Sequence, residues 1–294
     1  MINKVKNRIR DFIRYSVDLD RREIFDKYKN LSLIQGCCGT TNKSFNGEEL
    51  ILSLTSYGKR IETVYLAIES LLQQTLKPNR IILWLSEEEF ANKHLPILLT
   101  NMESRGLEIR YCEDYKSYKK LLPTLKEFPN ATIITFDDDI IYPQDVVEKL
   151  YFTHLEYPND IIFARGHEIM IDVTGKILPY NSWKFETNKT FGKNILPTGG
   201  AGCLYPAHCF HNDVLNWEII KENCPYADDI WFKVMTLLNN RISRKGYFFE
   251  YFFSTFIEIN PNKDTLSKFN VFNNGNTTQL SSLLNIYPQI NKLL

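Results

Sequence analysis

Three acids stand in a row at Asp137-Asp138-Asp139, directly after the apolar run Ala131-Thr132-Ile133-Ile134-Thr135-Phe136. Adjacent carboxylates repel one another unless a cation or several donors neutralise them. A hard divalent ion, Mn²⁺ or Mg²⁺, is the usual answer, held by one or two carboxylates and completed by substrate phosphates. In an extended chain Asp137 and Asp139 face one side and Asp138 the other. One pair can then share an ion, which makes Asp137 and Asp139 the expected metal ligands and leaves Asp138 for a ribose hydroxyl or a backbone group. The competing reading is an acidic turn capping the helix that starts after Pro143.

A second acidic pair, Asp228-Asp229, opens the segment Ile230-Trp231-Phe232. Acids at a helix start complement its dipole and cap free N–H groups. The chemical alternative is that Asp229 or Asp228 takes a proton from an acceptor hydroxyl as general base. Between the two acidic groups lies Thr198-Gly199-Gly200-Ala201-Gly202-Cys203, whose glycines let backbone approach a ligand closely. It is not a Gly-x-x-x-x-Gly-Lys-[Ser/Thr] phosphate loop, and a tight turn between strands also explains it. Lesser candidates are Thr55, Tyr57, Lys59 and Arg60 after an early apolar run, and Lys119 and Lys120 before the acid triplet. Tyr57 could stack on a nucleobase and the basic residues could meet phosphate charge. The five histidines show no ligand spacing on one helix, although His167 and His208 adjoin the later motifs.

The elements that must position these residues follow from periodicity. Leu50–Thr55, Arg80–Leu85, Leu107–Tyr111 and Ala131–Phe136 read as four apolar strands. Helical periods separate them at 61–74, around 95–104 and near 116–126. Strands apolar on both faces, alternating with helices, predict a mostly parallel central sheet covered on both sides. Ligands in such sheets gather at the carboxyl ends of the strands, where the acid triplet lies. Beyond residue 150 the pattern loosens into a helix at 144–156, a strand at 161–165, the glycine turn, a helix near 228–239 and a short helix near 279–285. The expected organisation is an N-terminal helical extension and linker over 1–48, a catalytic domain over 49–259 and a tail over 260–294.

At 294 residues the chain can bury a large core, and its basic and acidic residues balance at 35 each. A protein built to wrap nucleic acid would carry a basic excess, so nucleic acid is not an expected partner. The six cysteines lack Cys-x-x-Cys spacing and read as reduced thiols. The N-terminus has no signal-peptide core and no window spans a bilayer, which predicts a cytoplasmic protein. Residues 1–30 place Ile2, Val5, Ile9, Phe12 and Ile13 opposite lysines and arginines. That helix either packs on the body or makes peripheral membrane contact.

Over residues 50–240 the ordered set resembles the GT-A glycosyltransferases, in particular family-2-like bacterial enzymes of surface polysaccharide assembly. The resemblance rests on Ser53-Leu54-Thr55-Ser56-Tyr57-Gly58-Lys59-Arg60, Ser70-Leu71-Leu72-Gln73-Gln74, Lys119-Lys120, Ile134-Thr135-Phe136-Asp137-Asp138-Asp139, Gly199-Gly200-Ala201-Gly202 and Ala227-Asp228-Asp229-Ile230-Trp231. It implies a GT-A fold and a nucleotide-diphosphate sugar as donor. Thr55, Tyr57, Arg60, Lys120, Asp137, Asp138 and Gly200 would lie around the nucleotide. The triplet matches the family's Asp-x-Asp metal motif, and Asp229 or Asp228 matches the base of inverting members. The acceptor would be a hydroxyl of a glycan or lipid-linked molecule. The sequence departs from the family at Ser86-Glu87-Glu88-Glu89, where Asp-Asp-x-Ser is frequent, and it offers no matching terminal histidine ligand. Two other readings are a haloacid-dehalogenase-like phosphatase and a non-catalytic GT-A-like carbohydrate binder. The first expects Thr or Val where Ile141 stands, and retention of both acidic motifs speaks against the second.

Overall fold

The computed structural model describes residues 21–34, 36, 38–43, 45–90, 94–259 and 274–294. Strands β1 (Leu50–Thr55), β2 (Arg80–Ser86), β3 (Leu107–Cys112) and β4 (Thr132–Thr135) are the four apolar runs of the sequence. They pair in parallel in the order β3-β2-β1-β4, which places all four carboxyl ends along one edge. Their alternating side chains feed two separate cores. Ile51, Ile82, Trp84 and Ile133 pack on one face, and Leu52, Leu54, Leu83, Ile134 and Phe136 on the other. Burial on both faces is why β1, β2 and β4 read as continuous apolar runs, whereas the edge strand β3 alternates and buries Leu107 alone.

The intervening helices are shorter than the periodicity predicts. The 61–74 period becomes a 3₁₀ turn, Gly58–Glu62, and the helix Val64–Leu72. The 95–104 period splits into Ile97–Thr100 and the 3₁₀ segment Asn101–Arg105, ended by Gly106 at φ 104°. Residues 116–126 divide in the same way, into the 3₁₀ turn Lys116–Lys120 and the helix Leu122–Glu127. That helix is tied to the sheet through Thr124, whose hydroxyl lies 2.7 Å from Ser53 Oγ and accepts from Trp84 Nε1 at 2.7 Å.

After β4 come β5 (Ile140–Ile141), the helix Val146–Glu156, β6 (Ile161–Phe163), β7 (Gly166–Glu168), β8 (Phe191–Gly192), β9 (Ile195–Pro197) and β10 (Cys203–Tyr205). Strand β10 inserts antiparallel between β4 and β6, pairing Cys203 with Thr135. An antiparallel neighbour begins where β4 ends, so the glycine turn that precedes β10 is carried to the carboxyl end of β4. The sheet continues through β6 and β11 (Ser243–Lys245), which are parallel, to the short edge strand β8.

The helix Asp228–Leu238 lies on the Trp84 face, burying Ile230, Trp231, Phe232 and Val234. Residues 274–294 also join that core. Their helix, Gly275–Ile286, contributes Leu280 and Leu283, with Tyr287 and Ile290 beyond it. On the other side β12 (Ile257–Glu258) pairs antiparallel with β5, and Ile259 N–H donates to the Asp139 carbonyl at 2.7 Å. A helix over 21–33 packs Tyr28, Ile24, Phe25 and Leu31 on Leu66, Ala67 and Ile259. The apolar stripe expected at Ile2–Ile13 lies outside the described residues. No helix among the described residues is long and apolar enough to cross a membrane.

Candidate active site

The two acidic motifs meet at one lysine. Lys120 Nζ lies 2.9 Å from Asp137 Oδ1 and 3.0 Å from Asp228 Oδ2. Asp229, next along the helix, accepts the Gly199 N–H at 2.9 Å through Oδ1. Lys120 is buried. Burial by itself would depress its pKa, but Asp137, Asp228 and Asp229 outweigh that and hold the ammonium charged well above the ordinary lysine range.

The chain turns at 138–139 rather than staying extended, so the expected alternation of the three acids does not form. Asp138 and Asp139 share one cation instead. Arg60 Nη1 sits 2.7 Å from Asp138 Oδ1 and 2.8 Å from Asp139 Oδ2. Asp138 is buried, and its other oxygen accepts from Ser56 Oγ at 2.6 Å. Burial opposes the Arg60 charge, yet the two aspartates raise its pKa. Tyr57, exposed beside them, stacks its ring 5.1 Å from the Arg60 guanidinium. The Thr55 hydroxyl is occupied by the Trp84 carbonyl at 2.8 Å, a structural contact within the sheet.

The glycine turn supplies closeness. A Cβ on Gly200 would stand 2.5 Å from Asp137 Oδ2, and one on Gly199 would stand 3.1 Å from Asp229 Oδ1. Tyr142 binds this turn to the triplet. Its hydroxyl accepts from Asp137 N–H at 2.8 Å and donates to the Gly200 carbonyl at 2.7 Å. Sequence reasoning missed Tyr142, and it missed Ser56 as a partner of Asp138. It also missed Glu258, which β12 brings beside β5 and whose charge adds to the repulsion at Asp139. Nothing local in the sequence marks Glu258, because the strand pairing that delivers it is long-range. Of the other basic candidates, Lys119 pairs with Asp114, and Lys59 is exposed on the turn after β1. His167 is a buried histidine pushed down to about 3 by burial and by Arg165, with Nδ1 accepting from Glu186 N–H. His208 sits at positive φ, 57°, with its carbonyl taken by Asn239 and Arg241.

Around Lys120 and Arg60 stand the carboxylates of Asp137, Asp138, Asp139, Asp228 and Asp229, so negative charge is in excess. The excess appears at Asp139. Burial and the Asp137 charge push it up to about 7 although Arg60 is adjacent. Asp229 is pushed up to about 7 as well, by burial and by Asp228, against Lys120 and the Gly199 hydrogen bond. A site so short of positive charge suits a hard dication. Among the described residues no cluster of three or more ligating side chains could hold an ion unaided. A dication here would therefore take one or two carboxylates and complete its shell from phosphates. Beside the turn after β1 opens a cleft of about 350 Å³, lined by Gly58, Lys59, Glu62, Glu89, Phe90 and His94. Glu89, from the segment where the sequence departs from the family pattern, receives the Gly58 N–H at 2.8 Å.

No protein-family profile matches the chain, and no curated protein does. Among solved structures it is similar to residues 1–349 of S. aureus TarS in complex with UDP. That likeness has 13% identity and a TM-score of 0.45, covering 69% of this chain and 58% of that one. It is also similar to a CMP:2-keto-3-deoxy-manno-octonic acid synthetase complexed with CTP, at 12% identity and a TM-score of 0.42, covering 68% of this chain and 90% of that one. These likenesses are too distant to carry function to this chain.

Proposed function

We propose that this chain is a metal-dependent glycosyltransferase that moves a sugar from a nucleoside-diphosphate donor to an acceptor hydroxyl. The observation that carries the reading is the meeting of Asp137 and Asp228 on the buried Lys120, at the carboxyl ends of β1 and β4. Neither acidic motif is then merely a helix cap. The cleft beside Gly58 has the size of a small-ligand site and suits the nucleoside, and Tyr57 and Arg60 flank its lining residues Gly58 and Lys59 in the chain.

Asp137 and Asp139 are the residues that would hold Mn²⁺ or Mg²⁺ together with donor phosphates. The ion would supply charge neutralisation for the departing diphosphate. Lys120 fixes Asp137 against Asp228 and contributes positive charge next to the phosphate position. Asp138, held by Ser56 and Arg60, keeps the turn after β1 against the triplet. Asp229 is oriented by the Gly199 N–H, and a carboxylate that titrates near 7 is suited to accept a hydroxyl proton at neutral pH. Transfer with Asp229 as base would invert the configuration at the sugar carbon.

A thermal-shift screen of nucleotide sugars with and without Mn²⁺ tests this directly. A ligand that binds only the folded state raises its apparent stability. We expect one nucleotide class to raise the midpoint in the presence of Mn²⁺ and much less in its absence. No shift from any nucleotide with the metal would remove the donor site.

A further inference from the structure

Between β7 and β9 the chain makes an excursion, residues 169–194, that the proposed mechanism does not yet use. It is joined to Asp229 at two places. In its middle lies a 3₁₀ turn, Tyr180–Ser182, whose Tyr180 N–H donates to Thr277 Oγ1 at 3.1 Å. Tyr180 is buried within the field of Asp229: burial and then that charge push its hydroxyl up, while Asn276 bonds it. At the root, the Arg165 carbonyl receives the Thr198 N–H at 2.9 Å, and the next residue, Gly199, donates to Asp229.

Three side chains of this region stand together outside the core. Phe185 rests edge-on against Tyr180 and His167, with ring centroids 5.5 and 4.7 Å apart, yet 42% of it is exposed. Glu186, next to it, has φ 51°, a left-handed conformation uncommon for any residue but glycine. Two bonds hold it there. Its N–H donates to His167 Nδ1 at 3.1 Å, and its carboxylate lies 3.1 Å from Arg165 Nη2. Backbone strain of this kind gathers at ligand-binding positions, where the side chains it presents are used.

We propose that Phe185, Glu186 and Arg165 form the acceptor subsite of this protein and that it takes a neutral saccharide. The flat apolar ring of Phe185 suits the C–H face of a pyranose. Beside it, the Glu186 carboxylate can accept from the sugar hydroxyls and the Arg165 guanidinium can donate to them. An aromatic surface with a few placed polar groups is the usual make-up of a small-molecule site. An acceptor with a phosphate or carboxylate near its reacting hydroxyl is disfavoured, because Glu186 already answers the Arg165 charge and Asp228 and Asp229 make the base side negative. An alkyl chain is disfavoured as well, since the chain neighbours of Phe185 at Lys184, Glu186 and Asn188 are exposed and polar. That the bound sugar is the acceptor rests on the glycosyltransferase reading with Asp229 as base, whereas saccharide binding itself does not.

The test is saturation-transfer NMR of the full chain with the methyl glycosides of glucose, galactose and N-acetylglucosamine, and with glycerol 3-phosphate. We expect the ring C–H protons of at least one glycoside to receive saturation, and glycerol 3-phosphate to receive none. Phe185→Leu keeps an apolar side chain but removes the flat ring, and should weaken glycoside binding about tenfold, while Phe185→Trp should retain it. An unchanged melting midpoint shows that each variant is folded. Glu186→Gln, which frees the Arg165 charge, should in turn admit glycerol 3-phosphate and gives a second reading that does not depend on Phe185. Binding of no glycoside overturns the proposal, as does wild-type affinity in folded Phe185→Leu. Binding of glycerol 3-phosphate by the wild-type chain in preference to every glycoside also overturns it, assigning the strip to an anionic acceptor. The nucleotide thermal shift is read in parallel, so a failed saccharide subsite and a failed donor site give different results.

Discussion

At the scale of single residues, Asp229 and Asp139 are the groups whose ionisation matters most, because burial and a neighbouring acid hold both near 7. If Asp229 accepts the proton, only its ionised form is active. Transfer should then rise with pH through about 7 and level off above it. Asp229→Asn should reduce turnover by ~10²–10⁴-fold and remove that limb, while the donor-induced thermal shift stays as in the wild type. A variant with full activity would place the base elsewhere. At Asp139 a dication must displace a proton below about pH 7, so Mn²⁺ affinity in the presence of a nucleoside diphosphate should fall as pH drops. Calorimetry across that range checks it, and a pH-independent affinity that survives Asp139→Ala would separate the residue from the metal.

Among the elements, the glycine turn is the one with least freedom. It must approach Asp137 closely because β10 enters antiparallel to β4, and Tyr142 fastens Gly200 and Asp137 to the same hydroxyl. A methyl group on Gly200 cannot be relieved by sliding the turn outward without breaking those bonds. Gly200→Ala should therefore displace the Asp137 carboxylate and weaken metal-dependent nucleotide binding by about tenfold or more, on the order of 1–2 kcal/mol. Gly175 is the control. It has φ +84° but open space around its Cβ position, so Gly175→Ala should cost about 1 kcal/mol of stability and leave binding unchanged. Equal binding losses in the two variants would show that general destabilisation, not contact with Asp137, is responsible.

For the molecule as a whole, the helix Asp228–Leu238 carries an internal cost. Lys233 is buried against apolar neighbours with Ser243 Oγ, 3.0 Å away, as its hydrogen-bond partner. Burial pushes its pKa down to about 7. The folded value is below the ordinary lysine value, so the unfolded chain binds the extra proton between the two. Stability should accordingly be greatest above the unfolded pKa and be lost as pH falls toward about 7. Between pH ~7 and ~9 the contribution is roughly 2–3 kcal/mol. Lys233→Met should raise the melting temperature at neutral pH and flatten this part of the profile. Urea unfolding of both proteins at the two pH values measures the difference, and identical slopes would mean that Lys233 keeps its charge in the fold.

The alternation of apolar strands and helical periods was enough to determine a parallel sheet with acids at a strand end, because burial on both faces leaves a local record in the sequence. Leu50–Thr55 and Arg80–Leu85 carry that record in nearly every residue, whereas the edge strand Leu107–Cys112 alternates apolar and charged residues and buries Leu107 alone. The same record was blurred for the connecting helices, since a period of apolar residues does not distinguish an α-helix from the 3₁₀ turns that precede Val64 and Leu122. Only the tertiary structure decided that Lys120 joins Asp137 to Asp228, that Arg60 bridges Asp138 and Asp139, and that Glu258 comes near the triplet. These are encounters between side chains distant in sequence, fixed by which strands pair and in which direction. A local pattern holds no trace of them, because the energy that selects them comes from packing the whole sheet.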